Sequence, residues 1–182
     1  MKKVLFIVGS LRVKSFNRQL ADVAEQMLAG RADVARLDIA DVPVVNQDAE
    51  FPAPEDVSRM RKAVGEADAV WIFTPEYNGS YPGLLKNTLD WLSRPLVAGD
   101  YATPTCIAGK TVALSGAGGR AATAGCRAKL TELLTFIRAE VLEPQTGVAL
   151  APECWATDVL TLTDEQREAL KLQAEALIAK LG

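Results

Sequence analysis

Residues 68–95 read DAVWIFTPEYNGSYPGLLKNTLDWLSRP, and the order of patterns within them decides the architecture. Ala69 to Phe73 is an apolar run without polar alternation, as a strand covered on both faces requires. From Leu85 the period changes: Leu85, Leu89 and Leu92 fall on one face of a helix. Pro82 ahead of them suits a first helical turn, where its missing N–H costs nothing. Between strand and helix an acid, an aromatic, an amide and a glycine are packed between two prolines. Asn78-Gly79 favours a turn at positive φ, and the prolines stiffen the loop. A buried strand, a shaped loop and an amphipathic helix together make one unit of a parallel α/β sheet.

The unit recurs in both directions. KKVLFIVG (2–9) is another buried strand, and Leu20, Val23, Ala24, Met27 and Leu28 then recur at helical spacing from Asn17 to a stop at Gly30. DVARLDI (33–39) reads as the second strand, and 40–54, with three prolines and no periodicity, as a loop. A helix is expected over 55–66, with Val57, Met60 and Val64 on one side. After an irregular 96–109, KTVALSG (110–116) is the fourth strand, 123–138 a helix and AEVLEPQTGVAL (139–150) the fifth strand. Thr163 or Asp164 caps a last helix whose core face carries Leu170, Ala174, Leu177 and Leu181. Five strands alternating with five helices give a three-layer sandwich, and no linker or repeat divides residues 1–182, so one domain is expected.

Composition narrows the chemistry. The 182 residues carry a net charge of −3 and 49% apolar residues, which suits a soluble globular chain and gives a nucleic-acid polyanion nothing to bind. The opening MKKVLFIVGS imitates a secretory signal, but its apolar run stops at Val8, with Arg12 and Lys14 close behind, and nothing approaches the ~20 apolar residues of a membrane span. Cys106, Cys126 and Cys154 show no paired spacing, as expected of a reducing cytoplasm. The chain has no histidine. That excludes Ser-His-Asp and Cys-His catalysis and the commonest zinc ligand sets.

In doubly wound sheets, ligands bind beyond the carboxyl ends of the strands, so three loops matter: GSLRVKSFN (9–17), PEYNGSYPG (75–83) and GAGGRAATAG (116–125). The first joins a strand to a helix N-terminus, where free N–H groups favour an anion. Ser10 and Ser15 add hydroxyls, Asn17 an amide and Arg12 a planar cation, although Ser15 or Asn17 could equally be a plain N-cap. Glu76, Tyr77 and Asn78 stand at the mouth of the sheet on the second loop, with Lys86 and Asp90 an ordinary ion pair on the helix behind it. Gly116, Gly118 and Ala121 imitate a dinucleotide fingerprint, but no ribose-binding acid follows, so tight packing and a flat ligand at the backbone are equally good readings. Gly109-Lys110-Thr111 copies the end of a P-loop, yet it precedes a strand and Pro104 takes the first glycine's place. Together the loops suggest a ligand with a phosphate at one end and a flat ring at the other. A mononucleotide such as FMN fits, and it would bring its own redox chemistry to a chain without histidine.

The first two motifs, GSLRVKSFN and PEYNGSYPGLLKNTLDWLSRP, resemble those of the NADPH-dependent FMN reductase family, which includes bacterial chromate, quinone and azo-dye reductases. The resemblance implies a flavodoxin-like fold with strand order 2-1-3-4-5 and FMN held tightly without a covalent bond. It places Ser10, Arg12, Ser15 and Asn17 at the phosphate, with Phe16 beside them among the cofactor-binding residues, and Pro75, Glu76, Tyr77, Asn78 and Gly79 around the ribityl chain and ring. Ser115, Gly116, Gly118 and Gly119 fall at the ring's pyrimidine edge. No catalytic side chain is implied, since N5 of the flavin carries the reaction, and no metal. NADPH or NADH would be the reductant, with a quinone, azo compound, metal oxyanion such as chromate, or free flavin as acceptor. Members usually form homodimers or homotetramers, which would give Tyr81, Trp91 and Tyr101 an interface role. Two rivals predict different behaviour: a flavodoxin-like electron carrier would not oxidise NADPH directly, and a nucleotide-binding regulatory module would be colourless.

Overall fold

Four strands form the body of one parallel sheet: β1 (Lys2–Val8), β2 (Ala32–Leu37), β3 (Ala69–Phe73) and β4 (Thr111–Gly118). The computed structural model describes all residues, 1–182. Two short strands, β5 (Glu140–Val141) and β6 (Thr146–Ala149), lie one after the other along the outer side of β4. The order is β2-β1-β3-β4-β5 with β6 also on β4, the flavodoxin-like arrangement that the family resemblance implied. Six helices complete the chain: α1 (Phe16–Leu28), α2 (Glu55–Glu66), α3 (Gly83–Leu92), α4 (Ala124–Phe136), α5 (Pro152–Thr157) and α6 (Asp164–Leu181).

Alternation along the strands fills two cores. Leu5, Ile7, Val70, Ile72, Val112 and Leu114 face α2, α3 and α4. Val4, Phe6, Trp71, Phe73 and Ala113 face α1 and α6. Both faces of β3 are fully covered, so its uninterrupted apolar run is the solvent-free solution for a central strand.

Several expectations need correction or narrowing. The fifth strand is broken in two, with Pro144 in the gap: proline has no N–H to give to the ladder, and pairing resumes only at Thr146 opposite Ser115. The segment after it forms a further helix, α5, too short for any helical period to show. Ser15, not Asn17, caps α1. Its side chain accepts from the Arg18 N–H, and Asn17 lies inside the first turn, 3% exposed. At α3, Pro82 takes the cap position and Gly83 opens the helix. Trp91 is sealed in the core at 1% exposure, its indole N–H donating 2.7 Å to the Pro43 carbonyl, so it serves packing and not an interface. No helix is long and apolar enough to cross a membrane.

Candidate functional site

Because β1 pairs with β2 on one side and β3 on the other, the connections leaving β1 and β3 diverge to opposite faces, and a crevice opens between them at the carboxyl ends. The β1–α1 loop is a tight turn: the Ser15 N–H donates to the Arg12 carbonyl at 3.1 Å, and the Ser10 hydroxyl accepts from the Arg12 N–H at 3.4 Å. Ser15 follows in extended conformation and starts the helix. Ser10, Arg12 and the first-turn N–H groups of α1 are thus gathered at one end of the crevice.

The β3–α3 loop closes as anticipated. Tyr77 and Ser80 exchange backbone hydrogen bonds of 2.9 and 3.0 Å around Asn78 (φ 54°) and Gly79 (φ 68°), a two-residue turn that needs left-handed residues at both central positions. Glu76 lines the crevice but is already engaged. Its Oε2 accepts from the Cys126 N–H at 2.8 Å, neutralising a free donor at the start of α4, while Lys129 Nζ donates to the Gly79 carbonyl at 2.7 Å. Cys126 sits beneath this joint, 3.3 Å from the Thr74 hydroxyl, with its thiol pKa pushed up by burial.

On the third loop the two readings of the glycines divide between residues. At Gly116 the strand packs against Thr74 and Thr123, and a Cβ would come within 2.5 Å of the Thr74 carbonyl oxygen. Gly119 is exposed, with open space where a side chain would be. Ser115 lies wholly inside the protein: it accepts from the Trp71 indole at 2.9 Å and donates to Gln173 Oε1 at 2.7 Å. Asn17 is likewise consumed by structure. Its amide pairs with the Ala117 backbone, accepting at 2.8 Å and donating at 3.0 Å.

A cavity of about 290 Å³ lies where the loops meet, lined by Ser10, Arg12, Ser15, Phe16, Asn17, Pro75, Glu76, Tyr77, Gly118 and Gly119. Asn78, Gly79, Ser115 and Gly116 stand outside it. Its volume falls just below the ~300–1,000 Å³ typical of ligand sites, so a mononucleotide would leave an outer edge in solvent. Larger hollows near Arg138 and near Phe51 contain none of the expected cofactor-binding residues, and a third near Arg36 shares only Ser10 with them. The sequence reading missed one wall altogether: Leu150, Trp155 and Asp158, from the segment after β6. Trp155 packs edge-to-face on Phe16 with ring centroids 5.2 Å apart. Asp158 accepts from Arg12, whose hydrogen bond holds that carboxyl below its usual pKa. The only hint was a tryptophan and an acid three apart in a stretch of no period.

The residues present fit a flavin mononucleotide. Hydroxyls, a guanidinium and helix N–H groups suit a phosphate, and the open backbone at Gly119 admits the edge of a planar ring. The decoy lysine is also explained: Lys110 donates to the carbonyls of Gly65 (2.9 Å) and Ala67, far from this rim at the amino ends of the strands.

Residues 2–153 match the profile of the family described as NADPH-dependent FMN reductase. An NAD(P)H-dependent FMN reductase of Pseudomonas aeruginosa is 34% identical over 178 residues, 96% of this chain and 92% of that protein. A quinone reductase of Escherichia coli is 36% identical over 165 residues, 80% of this chain and 83% of its own length. Among solved structures, the flavoenzyme NAD(P)H:(acceptor) oxidoreductase of Paracoccus denitrificans superimposes with a TM-score of 0.86 at 32% identity, covering 100% of this chain and 97% of the other.

Proposed function

The chain belongs to the NADPH-dependent FMN reductase family and is an oxidoreductase of the NAD(P)H-dependent FMN and quinone reductase type; from that premise we propose that it binds FMN in the rim cavity and uses NADPH or NADH to reduce a small planar acceptor. The observation that carries this reading is the convergence of the three loops on one cavity at the β1/β3 crevice. Bound FMN would supply the two-electron exchange that no side chain there can perform.

The protein's part is positioning. Ser10, Arg12, Ser15 and the α1 first turn hold the phosphate, with Phe16 beneath Arg12 at 5.4 Å. Pro75, Tyr77, Gly118 and Gly119 frame the ring, and the N–H groups of the glycine turn are the donors available to negative charge at its edge. Asn17 and Glu76 act as braces that fix these loops. Asn78, Gly79, Ser115 and Gly116 give the loops their shape from outside. Reductant and acceptor take turns over the same open side, where Leu11, Tyr77 and Trp155 are each more than half exposed. A quinone is the acceptor most suited to such a rim; azo compounds, chromate and free flavin are tested as alternatives. A single FMN-binding unit over 1–182, a homodimer or homotetramer, and a cytoplasmic setting belong to the same proposal.

The test is anaerobic. The yellow purified protein should lose its absorbance near 450 nm on adding NADPH and regain it on adding a benzoquinone. Persistent colour with NADPH would favour the electron-carrier alternative, and a colourless protein indifferent to FMN would refute both.

A further inference from the structure

The phosphate end of the cavity already contains a carboxylate. Asp158, left-handed at the end of α5 (φ 60°), accepts from Arg12 and lies 3.5 Å from the Lys14 ammonium. Its position is fixed from the chain side as well: the Asp158 carbonyl accepts from Gln19 Nε2 at 2.9 Å, and the Leu160 N–H donates to Gln19 Oε1 at 2.8 Å. With Trp155 seated on Phe16, residues 155–160 form a strap across the loop that a flavin phosphate would use. A phosphate brought to Arg12 therefore meets an ionised carboxylate on the same guanidinium, and like charges at such range repel.

We infer that Asp158 competes with the flavin's 5′-phosphate for Arg12 and Lys14, so that seating FMN frees Arg12 from the strap and the competition keeps FMN exchangeable. The inference rests on the flavin reading given above. Without the phosphate, a flavin has nothing to compete for, so riboflavin is the internal control.

Asp158→Asn removes the charge and keeps the backbone, since Asn adopts the left-handed region more readily than most residues. The full-length chain, freed of flavin, would be titrated with FMN and with riboflavin by flavin fluorescence. The Kd for FMN should fall about tenfold in the variant, with that for riboflavin unchanged; in an Arg12→Ala background most of the gain should vanish. Unchanged FMN affinity, or a gain shared equally by riboflavin, would overturn the inference. So would weaker FMN binding, which would make Asp158 a residue that orients Arg12 toward the phosphate. Preserved riboflavin binding reports an intact cavity. If the unmodified chain binds neither flavin, the flavin reading fails and takes this inference with it; if it binds both and Asp158→Asn changes nothing, only this inference falls.

Discussion

Cys106 is 9% exposed, and its Sγ donates to the Leu92 carbonyl at 3.4 Å. Burial pushes its thiol up to about 11, against which the nearby Arg61 is a lesser influence. A folded-state pKa above the unfolded value means that the native state keeps its proton longer. This thiol's contribution to stability is therefore complete below about pH 9 and lost as the pH rises to about 11, on the order of 2–3 kcal/mol. Urea unfolding at pH 8 and 10.5 should show a larger loss for the native chain than for Cys106→Ala; equal losses would mean that the thiolate is not penalised in the fold. Gly116 makes a second residue-scale case. Gly116→Ala must push β4 off the Thr74 carbonyl and the Thr123 side chain, an overpacking cost of about 3 kcal/mol. A lowered urea midpoint checks it, and an unchanged one would show that the loop after β4 yields freely.

Between elements, the residues legible in the sequence are those whose roles are set by near neighbours. Asn78-Gly79 forms the left-handed turn that its chemistry favours, and Lys86 pairs with Asp90 at 2.7 Å. Thr163 and Gln166 form the reciprocal cap of α6. The structural roles of Asn17, Ser115 and Asp158 are not legible in the sequence, because their partners lie far along the chain, at Ala117, Gln173 and Arg12. No local pattern records such contacts. Asn17 is the joint between α1 and β4, and Asn17→Ala leaves the Ala117 N–H without its acceptor. A buried donor left unpaired costs about 1–3 kcal/mol, so the urea midpoint should drop with no change in slope. If stability is unaffected, the amide is reached by water or the strand relaxes toward another acceptor.

At the scale of the whole molecule the three layers could be anticipated, because buried strands alternating with helices imply a parallel sheet covered on both faces. The strand order followed only from the family resemblance of the two loop motifs. The rim was only half visible, since it is completed by the strap after β6. Its parts are nonetheless tied to one another and to the sheet. Asn17 links α1 to β4, Glu76 links the β3 loop to α4, and Gln19 links α1 to the strap. A ligand gripping this rim should therefore stabilise the entire fold and not one loop. At a hundred times its Kd, a ligand specific for the native state adds about 2.7 kcal/mol. For a chain of this size each kcal/mol is worth about 2–4 °C in Tm, so saturating FMN should raise the thermal midpoint of the flavin-free chain by about 5–11 °C. FMN that binds tightly, by fluorescence, without moving the midpoint would show that the rim melts before the core does.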